Sequence, residues 1–100
     1  MKSIKLGKSD VLVSEIIVGC WVMGGDYWGG AKDDESISAI RQSLDLGINT
    51  FDTAEVYGNG RSEEVVGRAL EGRRHEAVIS TKVWTSHMRK NDLKKACDDS

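Results

Sequence analysis

The chain has 100 residues, of which 39% are hydrophobic and 30% are charged, and its formal net charge is −2. This balance is typical of globular proteins, and the small net charge gives no reason to expect nucleic acid or an anionic membrane surface as a partner. No apolar run approaches the roughly 18 residues of a membrane span, and residues 1–4 begin no signal peptide, so we expect a cytoplasmic protein.

A β-hairpin is predicted at residues 4–13. Residues 4–6 and 11–13 are short apolar strands, and the four residues between them are rich in turn-forming glycine, serine and aspartate. The next run, residues 16–21, is almost continuously apolar, as a strand must be when both of its faces are buried in a parallel sheet. We therefore expect residues 16–21 to form the first strand of such a sheet.

A glycine-rich loop with two aromatic residues, Tyr27 and Trp28, follows at residues 23–30. It lacks the lysine and the spacing of a P-loop and does not match the dinucleotide fingerprint, so phosphate binding is not indicated there. The two aromatic side chains could line a ligand pocket at the end of the first strand, or only cover the rim of the sheet.

Helices and strands alternate along the rest of the chain. The first helix begins at Asp33 or Asp34 and ends at Gly47. One face of it carries an apolar stripe formed by Ile37, Ile40 and Leu44. The further elements are a strand at 48–53, a helix at 62–70, a strand at 77–83 and a helix that begins at Asn91 or Asp92.

This alternation predicts an α/β protein with a parallel sheet, for which two architectures compete. A doubly wound dinucleotide fold would carry a glycine fingerprint after its first strand, and none is present. A (β/α)₈ TIM barrel is favoured, because it places its site at the carboxyl ends of the strands, where the candidate residues fall. Since such a barrel needs about 250 residues, we expect residues 1–100 to form its N-terminal portion: about three βα units, with hairpin 4–13 at the barrel base.

Three ionisable residues follow strand ends in a pattern that suits proton transfer. Asp52 ends the second strand, Lys82 ends the third, and Tyr57 lies in the loop after the second. Parallel neighbours lie about 4.8 Å apart, so Asp52 and Lys82 are expected to form an ion pair beside the Tyr57 hydroxyl. A tyrosine is a poor acid near neutrality, with an unperturbed pKa of about 10, but an adjacent ammonium group favours its ionised form. Such a tyrosine could protonate a carbonyl oxygen.

The same stretch resembles the signature of the aldo-keto reductases. The similar segments are residues 47–54, Tyr57-Gly58 and residues 62–67, and residues 80–83 look like the lysine strand of that family. The resemblance implies an oxidoreductase that uses NADPH to reduce a small aldehyde or ketone to an alcohol. It implies Tyr57 as the proton donor, Lys82 as the residue that tunes it and Asp52 as the residue that holds Lys82.

The resemblance also implies binding residues. Those expected at the cofactor are Gly19, Cys20, Trp21 and Asp52. Those expected around the substrate are Trp21, Tyr27, Trp28 and Trp84. Taken singly, each has a plainer interpretation: Gly19, Cys20 and Trp21 as a buried strand end, and Asp52, Tyr57 and Lys82 as turn-capping, rim and surface residues.

Several alternatives stay open. The family's carbonyl-orienting histidine has no counterpart here, since His75 precedes the third strand and His87 follows it too early; both are expected at the surface. A protein of this fold could instead be an NADPH-binding regulatory or interaction subunit. A truncated segment could self-associate through its open sheet edge.

The two cysteines, Cys20 and Cys97, lack the spacing of a redox pair or zinc site. We expect free thiols and no metal centre.

Overall fold

Two separate sheets organise the part of the chain that the computed structural model describes, which is residues 1–23 and 33–100 except for the Asn59 side chain. The strands are β1 (Ser3–Lys5), β2 (Leu12–Ser14), β3 (Ile17–Gly19), β4 (Thr50–Asp52) and β5 (Val78–Ser80). The helices are α1 (Asp33–Asp45), α2 (Arg61–Ala69) and α3 (Lys90–Asp99), with 3₁₀ turns at Tyr57–Gly60, Arg74–Glu76 and Thr85–His87. Each predicted helix and strand is present, within a few residues of its expected bounds.

The larger sheet has the order β3-β4-β5, and both of its strand pairs are parallel. Its register places Gly19, Asp52 and Ser80 side by side at the carboxyl ends of the strands. Successive side chains of a strand point to opposite faces. The row of Asp52 therefore lies on one face of the sheet, and the row before it, which contains Phe51, lies on the other face.

The helices cover only one face of this sheet. Phe51, at the centre of β4, is fully buried, and Val18 and Ile79 beside it pack against the same core. The core comprises Cys20, Met23, Ile40, Leu44, Phe51, Val65, Val66, Ala69, Leu70 and Ala77. The row that carries Asp52 therefore lies on the opposite face, which we call the inner face because it would line the interior of a closed barrel.

The expectation that the first strand is buried on both faces is wrong for the described residues. Ile16 and Ile17 are about half exposed, and so is Trp21. The apolar run at residues 16–21 is typical of a strand that is covered on both faces. In the described residues, however, the helices form a layer against only one face of the three-stranded sheet.

The β1–β2 hairpin is attached at the amino end of β4, away from Asp52. The backbone N–H of Ser14 donates to Asn49 Oδ1 at 2.9 Å, and the backbone N–H of Asn49 donates to Ser14 Oγ at 3.1 Å. This reciprocal pair fixes the hairpin at the end of the sheet where the strands begin.

Candidate functional site

The carboxyl ends of β4 and β5 hold the candidate residues at one level. Asp52 is the last residue of β4, and Lys82 lies two residues beyond the end of β5. The ladder continues past both strands, because the Thr53 N–H donates to the Ser80 carbonyl at 2.8 Å and the Glu55 N–H donates to the Lys82 carbonyl at 3.1 Å. Lys82 thus stays in register with the segment that leads to Tyr57.

Asp52 and Lys82 form the ion pair that their positions predict. Lys82 Nζ donates to Asp52 Oδ1 at 2.7 Å and to the Thr53 carbonyl at 2.8 Å. The hydrogen bond that Lys82 donates to Asp52 is the main cause that raises the pKa of the Lys82 ammonium above its ordinary value. The lysine is therefore charged throughout the neutral range, and its position is fixed by two acceptors.

Tyr57 joins this pair from the 3₁₀ turn that follows β4. Lys82 Nζ lies 5.2 Å from the centre of the Tyr57 ring, within the range of a cation–π contact. Interaction with Tyr57 also contributes, after Asp52, to the raised pKa of Lys82. The structure thus brings together the three side chains that were expected to share one site.

The arrangement can support the loss of a proton from the phenol. As a tyrosine gives up its proton, negative charge develops on its oxygen, and a nearby fixed ammonium stabilises that charge. Asp52 keeps the ammonium in place. The cluster can act as a general acid toward an acceptor on the inner face.

A buried polar chain fixes the strand ends beneath this cluster. Ser62, at the start of α2, donates to the Cys20 carbonyl at 2.6 Å and shares a 2.7 Å hydrogen bond with Thr53 Oγ1. The side chains of Ser62 and Thr53 are almost fully buried. Because Gly60 takes a left-handed conformation with φ of 94°, α2 can begin directly after the 3₁₀ turn that carries Tyr57.

The structure revises the expected role of Cys20. Its side chain is fully buried in the helical core, and burial raises the pKa of the thiol to about 11. Its backbone N–H donates to the Asp52 carbonyl and its carbonyl accepts from Ser62, so both backbone groups already have partners. Cys20 therefore anchors the strand ends through its backbone. Its side chain lies on the face opposite Asp52, away from any ligand on the inner face. Cys97 is exposed, and neither cysteine is in a disulfide.

Of the other expected pocket residues, Gly19 lies level with Asp52, and Trp21 and Trp84 are each about half exposed. Tyr27 and Trp28 lie outside the described residues.

The hydrogen bonds of the Glu55 side chain were not predicted from the sequence. Glu55 Oε1 accepts the backbone N–H of Trp84 at 2.6 Å and contacts His87 Nδ1 at 2.7 Å. These contacts can be predicted from the sequence only if the strand register is known. Because Thr50 pairs with Val78, Glu55 lies opposite Val83, which directly precedes Trp84. His87 was expected to be a plain surface residue, and although it is exposed it is bonded to Glu55.

In the described part of the chain, no helix is long and apolar enough to cross a membrane. Nor does that part contain three or more histidine, cysteine or acidic residues grouped as metal ligands are.

Comparison with known proteins identifies the family. Residues 15–100 match the model of the Aldo/keto reductase family. The aldo-keto reductase YhdN of Bacillus subtilis is 40% identical over 84 residues, which cover 82% of this chain and 25% of the relative. A putative voltage-gated potassium channel subunit beta of Schizosaccharomyces pombe is 44% identical over 82 residues, which cover 79% of this chain and 23% of the relative.

The fold has counterparts among solved structures. An aldo-keto reductase of Klebsiella pneumoniae in complex with NADPH superposes with a TM-score of 0.79 at 36% identity, over 88% of this chain and 30% of that one. The expected fold class is confirmed: the α/β fold corresponds to part of a (β/α)₈ barrel. The chain spans about a quarter of the length of the curated relatives it matches.

Proposed function

The chain belongs to the aldo-keto reductase family, and from that premise we propose that it forms the N-terminal part of an NADPH-dependent oxidoreductase that reduces aldehydes or ketones to alcohols. The observation that carries the proposal is the contact of Lys82 with both Asp52 and Tyr57 at the strand ends. General acid–base chemistry needs such a fixed proton donor beside a stabilising charge.

In this proposal the three residues divide the work on the carbonyl oxygen. Tyr57 donates a proton to that oxygen, Lys82 stabilises the charge left on the phenol, and Asp52 holds Lys82. When bound, NADPH supplies a hydride to the carbonyl carbon, so that one hydride and one proton complete the alcohol.

The described residues fit the reactive end of a nicotinamide nucleotide. Gly19 lies level with Asp52, and within the described residues no atom lies within 4 Å of the place where a Cβ would stand. A flat ring could therefore approach the strand end beside Asp52 and Trp21. The Klebsiella pneumoniae relative is in complex with NADPH, which supports the choice of cofactor.

The substrate pocket is proposed to include Trp21 and Trp84, whose exposed rings lie beyond the ends of β3 and β5, together with Tyr27 and Trp28. Apolar and aromatic walls of this kind suit a small carbonyl compound, although they discriminate weakly between related ones.

The test of the proposed reaction is Tyr57→Phe in the full-length reductase. We expect NADPH oxidation with a small aromatic aldehyde to fall by roughly 100- to 10,000-fold, the usual contribution of a general acid. NADPH binding, followed by fluorescence, should stay close to that of the unmodified protein, because the ring is retained. A variant that keeps most of the turnover would refute the assignment of Tyr57.

A second candidate function is an NADPH-binding regulatory subunit of the same fold. The observation that favours it is the 44% identity to the protein of Schizosaccharomyces pombe named as a potassium channel subunit. The two functions differ in turnover: a regulatory subunit would bind NADPH but show no steady-state oxidation with any member of a panel of aldehydes and ketones.

A further inference from the structure

Glu55 connects the loop that carries Tyr57 to the segment that follows β5. Its backbone N–H donates to the Lys82 carbonyl at 3.1 Å, and its Oε1 receives the Trp84 N–H at 2.6 Å and the His87 Nδ1 contact at 2.7 Å. Because an ionised carboxylate only accepts hydrogen bonds, His87 Nδ1 donates in this pair. Three hydrogen bonds thus hold one short segment to one residue.

The carboxylate of Glu55 is well placed to act as a fixed acceptor. Its side chain is only 18% exposed. The Trp84 backbone N–H, and after it His87, hold the pKa of this carboxyl below its ordinary value. Hydrogen bonds to an ionised group are stronger than those between neutral groups, so the contact with Trp84 is a firm attachment.

The attached segment has little other support from the β4–α2 loop. In the part of the chain that is described, Glu55 accepts both of the hydrogen bonds that residues 83–87 make to that loop. Trp84 precedes the 3₁₀ turn Thr85–His87, and the residue is 52% exposed. Its backbone is thus held by the Glu55 side chain, while about half of its surface is in contact with water.

A shallow surface depression, open to solvent, lies at this junction. It has a volume of about 320 Å³ and is lined by Glu55, Val56, Trp84 and His87. Val56 directly precedes Tyr57, so the depression adjoins the proposed proton donor along the chain. Trp84 forms part of its apolar wall.

We infer that Glu55 is a positioning residue that fixes Trp84 as a wall of the carbonyl pocket and thereby determines how well large aromatic carbonyl substrates bind; this inference rests on the proposed reductase function. Glu55 acts through Trp84. The chemical step depends on Tyr57, Lys82 and Asp52, whose contacts with one another do not use the Glu55 side chain.

The first measurement is amide hydrogen exchange of Trp84 in the full-length reductase. In Glu55→Ala we expect exchange to be at least about tenfold faster, the size that corresponds to loss of a hydrogen bond to a charged group. Glu55→Gln keeps an oxygen acceptor for Trp84, so its exchange should rise less. The matched control is Glu64→Gln on the exposed face of α2, which should leave Trp84 unchanged.

The second measurement separates binding from chemistry. For a bulky aromatic aldehyde, Glu55→Ala should raise KM about fivefold to tenfold while kcat stays within about twofold, since only ground-state binding is weakened. KM for a small aliphatic aldehyde should change little, and Glu55→Gln should restore most of the aromatic KM. Trp84→Ala should raise the aromatic KM as well, and the double variant should not add to it, because both changes remove the same wall.

The possible failures can be told apart. If the full-length protein turns over carbonyl compounds but Glu55→Ala leaves both Trp84 exchange and the aromatic KM unchanged, the role of Glu55 is refuted and the reductase function stands. Additive effects of Glu55→Ala and Trp84→Ala would also refute it. Absence of any carbonyl turnover in the unmodified full-length protein would refute the proposed function, and the pocket role of Glu55 with it.

Discussion

At the scale of single residues, the main effect of the ion pair between Lys82 and Asp52 is to fix the position of the ammonium group, and its contribution to stability is small. Its side chain is 49% exposed and that of Asp52 is 38% exposed. Exposed ion pairs of this kind contribute roughly 0.2–1 kcal/mol to the free energy of unfolding. The Asp52 carboxylate and the Thr53 carbonyl instead restrict a flexible ammonium to one position near the Tyr57 ring.

The pH dependence of this pair follows from the raised pKa of Lys82. A lysine whose pKa is higher in the folded state contributes stability that is fully present below its unfolded pKa, about 10.4, and is lost as pH rises through the folded value. We therefore expect Lys82→Met to lower the free energy of unfolding by at most about 1 kcal/mol at pH 7 and pH 9. The difference should shrink above about pH 10.4.

Urea unfolding of the full-length protein and of Lys82→Met across this range checks the expectation. Lys94→Met, which removes one positive charge at an exposed position of α3, is the matched control. A stability difference that grows with rising pH would contradict the assigned ion pair.

The sequence predicts the contact between Asp52 and Lys82 but does not predict the contact between Glu55 and His87. Asp52 and Lys82 both follow apolar runs, so their meeting at adjacent strand ends is predictable from position alone. Glu55 and His87 meet only because the strand register and a 3₁₀ turn bring them together, and neither feature is encoded in hydrophobic spacing.

At the scale of elements, α2 is the support of the site. Its first turn holds β3 and β4 through the hydrogen bonds of Ser62 to the Cys20 carbonyl and to Thr53 Oγ1. Its apolar face was predictable, because Val65, Val66 and Ala69 follow helical spacing. The hydrogen bonds from Ser62 to the strand ends could not be predicted, since a serine at a helix start usually caps its own helix.

Ser62→Ala should destabilise the protein by about 1–3 kcal/mol, because it leaves the buried Thr53 hydroxyl without its partner. The Cys20 carbonyl also loses the Ser62 hydrogen bond but still accepts the Met23 N–H. Urea unfolding of the full-length protein measures the loss. Ser38→Ala, at an exposed position of α1, is the matched control and should lie within about 0.5 kcal/mol of the unmodified protein. Equal stability of the two variants would show that the buried chain contributes little.

At the scale of the whole molecule, the described helices cover one face of the sheet, whereas the inner face is covered at its amino end, where the hairpin contacts the buried Thr50, and is exposed elsewhere. The helices bury Phe51 completely, whereas Ile17 on the inner face is 52% exposed. The sequence predicts the barrel strands and the parallel pairing of the last two, but it cannot show which face stays exposed, because an apolar run does not specify the layer that covers it.

The 100-residue chain on its own should therefore bind NADPH weakly. In the proposed site, Gly19, Trp21 and Asp52 would contact only one end of the cofactor, and the inner face around Ile17 and Trp21 is about half exposed to water. We expect no saturable change of NADPH fluorescence at micromolar protein, whereas the proposed full-length reductase, as the positive control, should saturate. A clear 1:1 binding curve for the short chain would show that the cofactor site has been misplaced.

The spacing of the ion pair has a consequence for the order of folding. Asp52 and Lys82 are 30 residues apart, and Tyr57 lies between them. Closing a loop of this length costs little more entropy than closing a shorter one, because that cost rises by only about 0.6 kcal/mol for each doubling of loop length. During synthesis from the amino end, Asp52, Tyr57 and Lys82 can therefore meet as soon as β4, α2 and β5 are available. In the proposed reductase, any strand made later would then pack beside an ion pair that is already in place.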